Sequence, residues 1–205
     1  MKKRSYSIIA GLSYIIIFFA AIFANFFVLE AILQDPVNTI QQDHTMVRYG
    51  ILAFMLTVIF DVVVAWAFYE LYKEHYLSIL STLFRMMHAA IMAVAIFALP
   101  FTLKLSTSHE ILNQVDIFNT IWLIGLFFFG IHLILLGRII KRPKIIALFL
   151  GIAGIMYMID TSAHFLLPNY TSYASLFLAL VAIPSIIGEM AFAVWLLAKG
   201  GLEKQ

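Results

Sequence analysis

Six apolar runs, each long enough to cross a bilayer, constrain this chain more than any other feature. They cover about 6–32, 46–72, 76–104, 117–140, 144–167 and 173–198. At the helical rise of 1.5 Å per residue, about 20 residues cross the roughly 30 Å hydrocarbon core. Short polar connectors separate the runs. In "QDPVNTIQQD" the Asp35-Pro36 pair cannot continue a helix, and Pro100 stands near the end of the third run. Of 205 residues, 63% are hydrophobic and only 12% are charged, too little charge to cover a soluble domain. The predicted fold is all-α: a polytopic membrane protein, a single six-helix transmembrane bundle over 1–205, with sequential helices antiparallel.

The first run begins "MKKRSYSIIAGLSYIIIFF", with the basic head and apolar body of a signal peptide. The apolar stretch continues through "AAIFANFFVLEAIL", well past a signal core of about 7–15 residues, so it reads as a retained first helix. Basic residues set the expected orientation. Lys2, Lys3, Arg4, Lys73, Arg138, Lys141, Arg142, Lys144, Lys199 and Lys204 flank the runs at one end, against only Arg48 and Lys104 at the other. Both termini are therefore expected to be cytoplasmic, in a cytoplasmic membrane. A net charge of +2 held mostly in loops does not imply nucleic acid, and with no cysteine there are no disulfides or thiolate ligands. Gly11, Gly125, Gly130, Gly151 and Gly154 are candidates for close helix approach.

Ionisable residues at membrane depth are costly, and they normally face a bundle interior with a partner. The candidates are Asp61, Arg85, His88, His132, Asp160, His164 and Glu189. Counting from the basic end, Asp61, Arg85, His88, His132 and Glu189 fall roughly 12–18 Å deep, in one layer drawn from four helices. Arg85 and His88 share a face at i,i+3, and Arg85 requires an anion, either Asp61 or Glu189. Two carboxylates, two histidines and an arginine exceed one structural pair, and these five are the candidate ligand-binding set. Asp160 and His164, in "YMIDTSAHFLLPNY", lie one turn apart and roughly 24–30 Å up, where they are expected to line an outer entrance. Pro184 and Gly188 before Glu189 suggest a kink with freed backbone carbonyls.

No GxGxxG, Walker loop, HExxH or GxSxG occurs. "NYT" at 169–171 fits a glycosylation acceptor but abuts a membrane end, and "SHEILNQVD" at 108–116 reads as a solvated outer connector. A set of strings spread over nearly the whole chain, "IAGLSYIIIFF", "FDVVVAWAFYELY", "LFRMMHAAI", "LIGLFFFGIHLILLGRIIKR", "YMIDTSAHFLLPNY" and "PSIIGEMAFAVWLLAKG", resembles an uncharacterised family of bacterial six-span membrane proteins, domain of unknown function 4386. That resemblance implies six membrane helices and brings no activity with it.

Three function classes remain. The first is binding or transport of a small amphiphilic ligand, ion or proton in the polar layer. The second is an intramembrane, metal-dependent lipid-processing enzyme, in which His88, His132 and Asp61 or Glu189 would hold zinc at about 2.0–2.2 Å. Against this, Arg85 would repel a dication. Haem between the two histidines is disfavoured by the same charges. The third is an accessory subunit whose polar residues only specify packing. Binding or transport is the first expectation. The bilayer is the one partner the residues imply, no cofactor is identified, and oligomerisation is left open.

Overall fold

The structure, a computed structural model, describes residues 2–202, so Lys204 of the basic set lies outside the described residues. The chain folds into α1 (Lys3–Gln34), α2 (Pro36–Gln42), α3 (His44–Tyr72), α4 (Ser78–Thr102), α5 (Ser108–Ile139), α6 (Lys144–Leu166) and α7 (Ala174–Ala198). All but α2 are long and apolar enough to cross a membrane. Among the described residues there is no strand.

Two boundaries differ from the sequence reading, each for a capping reason. Residues 108–116 form the first turns of α5, not a loop. Thr107 caps the helix: its hydroxyl accepts from the Glu110 backbone N–H at 3.4 Å and donates to the Glu110 carboxylate at 2.7 Å. Ile111 and Val115 of this stretch are buried. The Asp35-Pro36 break does end α1, but the chain restarts at once as α2. Asp35 accepts from Asn38 N–H, and Pro36 occupies the first turn, where a missing N–H costs nothing. The buried Thr39 hydroxyl returns to Ala31 O at 3.0 Å and pins α2 against the end of α1.

The six long helices form a ring in chain order. Each packs on the next, and α7 packs on α1 to close the circle. Both termini therefore leave at one end, here the terminal end, together with the 73–77 and 140–143 turns. The opposite end is the far end. Arg4 fastens the closure, donating to Leu196 O (2.9 Å), Gly200 O (3.0 Å) and Leu197 O, the unpaired carbonyls that finish α7. Gly201 follows with φ +72°, and a Cβ there would fall 2.7 Å from Arg4 N, so only glycine allows the first turn of α1 this close.

Closure is uneven along the axis. α1 packs against the terminal-end part of α7, Ile186–Ala198. The far-end part, Ala174–Ser185, packs on α6 and makes no comparable contact with α1. Leu176, Leu178, Leu180 and Ile183 are all well exposed there. Both helices that border this gap leave α-geometry, α1 over Phe23–Leu29 and α7 over Ile186–Met190, where the backbone widens to π-helical turns. In α7 the widening follows Pro184, which lacks the N–H an α-turn needs.

Buried apolar residues fall into two clusters. One, around Phe68, Leu133, Leu136 and Phe192, fills the terminal half; the other, around Phe54, Ile96, Ile111 and Phe118, fills the far half. The polar layer lies between them. Helices α5 and α6 touch through Gly130 and Gly154: a Cβ on Gly130 would meet Gly154 O at 2.6 Å. Gly151, expected at an interface, is different, since a Cβ there would meet nothing within 4 Å. Gly130→Ala should therefore destabilise the purified protein by about 1–3 kcal/mol through overpacking. Gly151→Ala should leave the melting temperature unchanged or raise it, because alanine is the better helix former by about 1 kcal/mol. Equal melting temperatures for the two variants would refute this packing.

Candidate functional site

Arg85 sets the layout of the layer. It is 1% exposed and among the largest fully buried side chains. A guanidinium keeps its charge at any accessible pH, so its surroundings must supply an anion and acceptors. One terminal nitrogen pairs with Asp61 Oδ1. The other donates to Tyr14 Oη at 2.8 Å and faces His132 Nε2 at 3.3 Å. Its carbon lies 4.9 Å from the Tyr14 ring centre and 5.3 Å from that of Phe129, so aromatic faces complete the cradle. Nε has no hydrogen-bond partner.

The histidines are oriented by the acceptors around them. His132 Nδ1 is 2.9 Å from Ser81 O, and its Nε2 faces the arginine. A neutral ring with the proton on Nδ1 satisfies both contacts. His88 Nδ1 stands 3.0 Å from Gly125 O, and its Nε2 is 3.5 Å from Asp61 Oδ2. Both of its ring nitrogens thus face acceptors. Asp61 thus bridges Arg85 and His88, one oxygen to each.

Glu189 reaches the layer differently. It follows Pro184 within the π-helical stretch and accepts from Ser185 Oγ at 2.6 Å. Ser185 in turn accepts from Tyr157 Oη at 3.0 Å, since its own proton is committed to Glu189. Among the described residues Glu189 has no ion pair within 4.0 Å. Between Glu189 and the arginine cluster lies a cavity of about 200 Å³, lined from all six long helices and including Asp61, Arg85, His88 and Glu189. His132 is not on its wall; it supports Arg85 from behind.

Asp160 and His164 lie elsewhere. Neither lines the cavity. Asp160 Oδ1 accepts from Tyr170 Oη at 2.6 Å, which ties α6 to the far-end turn after it. His164 is exposed and packs edge-on against Tyr170, ring centres 4.7 Å apart. Burial and the Asp160 carboxylate hold the Tyr170 hydroxyl protonated above its ordinary range. Depth alone suggested an entrance; the turn bends back and occupies the carboxylate instead. Tyr14, Ser81 and Tyr157 were missed by the sequence reading. A tyrosine hydroxyl one turn from glycine in an apolar run, as in "GLSY", is a signal, because a buried hydroxyl needs a partner. Among the described residues no three histidine or carboxylate side chains converge as a metal-ligand set. His132 Nε2, one of the ligands considered for zinc, faces Arg85.

Breaking the central pair should be costly, because it leaves a buried charge alone. Arg85→Ala or Asp61→Ala should each destabilise the protein by about 3–5 kcal/mol, and the double variant by much less than their sum. Thermal unfolding in one detergent measures this, with the surface variant Arg48→Ala as the small-effect control. Additive single effects would show that the pair is not coupled. Tyr170→Phe should lower stability by about 1 kcal/mol through loss of the bond to Asp160. Because the folded state holds this hydroxyl proton more tightly, the bond's contribution is present below the ordinary tyrosine pKa and is lost as pH rises past it.

A family model described as Domain of unknown function (DUF4386) matches residues 9–200. A protein of Archaeoglobus fulgidus, described as uncharacterized, is 32% identical over 158 residues, covering 74% of this chain and 84% of that protein. This relative is archaeal, so it lends no support to a bacterial origin. No solved structure matches. A match across nearly every residue of the six spans places the chain in its family: it belongs to the domain of unknown function family DUF4386.

Proposed function

We propose that the protein binds a small amphiphilic ligand or ion inside the membrane, in the cavity between Arg85 and Glu189, as a carrier or receptor for it. One observation carries this reading: a cavity at the level of the fixed charges, with a carboxylate on its wall that, among the described residues, has no cation within 4.0 Å. A side-chain network that only held helices in register would close on itself, as Arg85, Asp61 and His88 do. Glu189 stands outside that closure. The cavity is smaller than the roughly 300–1,000 Å³ typical of drug-sized ligands, so it suits a headgroup or a short chain.

The basic residues that flank the terminal end support a further part of this reading, a cytoplasmic membrane with both termini inside. Reporter fusions after residues 40 and 143 should then report opposite sides; a common side for both would overturn this topology.

Native mass spectrometry of protein released from lipid nanodiscs tests the binding reading. The wild type should retain a small-molecule adduct. Ala21→Trp, which fills a position on the cavity wall, should lose it without a fall in melting temperature. Identical adducts on both proteins would leave the layer a packing device and refute binding.

A further inference from the structure

Charge and access together narrow the ligand. Within the cavity wall the arginine is matched at both terminal nitrogens, and only its Nε lacks a partner. Its two terminal nitrogens hold Asp61, Tyr14 and His132, and Asp61 spends its second oxygen on His88. Glu189 has one hydroxyl donor on Oε1 and, among the described residues, no cation within 4.0 Å and no hydrogen bond to Oε2. A carboxylate next to hydrocarbon requires a positive partner or a proton. An anionic ligand would instead meet two carboxylates, an arginine with no terminal nitrogen left unpaired, and His88, whose ring nitrogens already face Gly125 O and Asp61 Oδ2. The rest of the wall favours a cation of low hydration. Phe18, Trp122 and Tyr157 line the space, and aromatic rings are the surroundings that suit an ammonium group.

Access is the second observation, and it comes from the fold, not the charges. The ring is closed between α1 and α7 at the terminal end and lacks that contact beyond Ser185. The α1 residues on the cavity wall, Tyr14, Phe18 and Ala21, follow one helical stripe from the arginine toward this gap. The α7 residues opposite are Ser185, Ile186 and Glu189. The π-helical stretches of α1 and α7 border the same opening. Such stretches are often found at functional sites, and here one of them carries Glu189.

We propose that the cavity receives the ammonium head of a lipophilic amine or quaternary ammonium cation, which enters sideways from the bilayer half at the far end, through the gap between α1 and α7, and pairs with Glu189. This rests on the binding reading above and adds the sign of the ligand, its counter-charge and its route. A cation in this place keeps its alkyl chain in the gap, in contact with lipid, while its head is neutralised inside.

The test uses full-length protein in nanodiscs with Trp66→Phe and Trp195→Phe, so that emission reports Trp122 on the cavity wall. Hexyltrimethylammonium and octanoate serve as probes of opposite charge, with empty nanodiscs as the partition control. Hexyltrimethylammonium should shift the emission saturably, at least tenfold more tightly than octanoate. Glu189→Gln should weaken it tenfold or more, and Glu189→Asp should restore most of that loss. Should Glu189→Gln fail to fold, the charge preference of the wild type decides by itself. Tighter binding of octanoate, or cation binding indifferent to Glu189→Gln, overturns the ammonium assignment and leaves the binding reading standing. No response to either probe, with a native adduct still retained, rules out this ligand class alone. No response and no adduct overturns both.

Discussion

The pairing of Arg85 with Asp61 is the interaction on which the structure depends. An arginine buried between two apolar clusters can neither discharge nor reach water, so the helices around it must supply its partners. The second helix of the ring supplies the counter-charge, α1 a tyrosine oxygen, α5 a histidine nitrogen and a backbone carbonyl for the adjoining histidine. These contacts fix the rotation of four helices about their axes. The apolar clusters on either side then pack against faces already chosen. Hydrocarbon on hydrocarbon provides little preference between registers inside a bilayer, whereas a misplaced charge provides a large one.

The layer divides into a saturated part and an open part. Arg85, Asp61, His88 and His132 satisfy one another almost completely, and Nε of Arg85 is the exception. Glu189 belongs to a separate chain of donors running from Tyr157 through Ser185. The two parts meet only across the cavity. The binding proposal rests on this division, a closed framework on one side and a carboxylate outside it on the other.

How much of this was legible in the sequence follows from how few alternatives each residue has. The six spans were, because bilayer thickness admits one solution for runs this apolar. The clustering of Asp61, Arg85 and His88 was, because ionisable side chains at such depth must find one another. Tyr14 and Ser81 were not, since a tyrosine or serine in a span has cheap alternatives and composition cannot choose among them. The start of α5 was misread on the polarity of "SHEILNQVD", although Thr107 and Glu110 form a cap pattern that outweighs it. The partner of Asp160 was not legible, for a tertiary reason. Its partner, Tyr170, comes from a turn whose path no helical periodicity describes.

The clamp of Arg4 on the end of α7 has a consequence for biogenesis. Its acceptors lie 192 to 196 residues further along the chain. At about 5–20 residues per second, synthesis takes on the order of ten seconds or more to deliver them. Throughout that interval α1 is in the membrane with one flank uncovered, and its neighbours accumulate on the other side only. The ring is thus an open arc until α7 closes it. A change to Arg4 or to the end of α7 therefore acts on the same joint, the seam where two segments far apart in the chain meet.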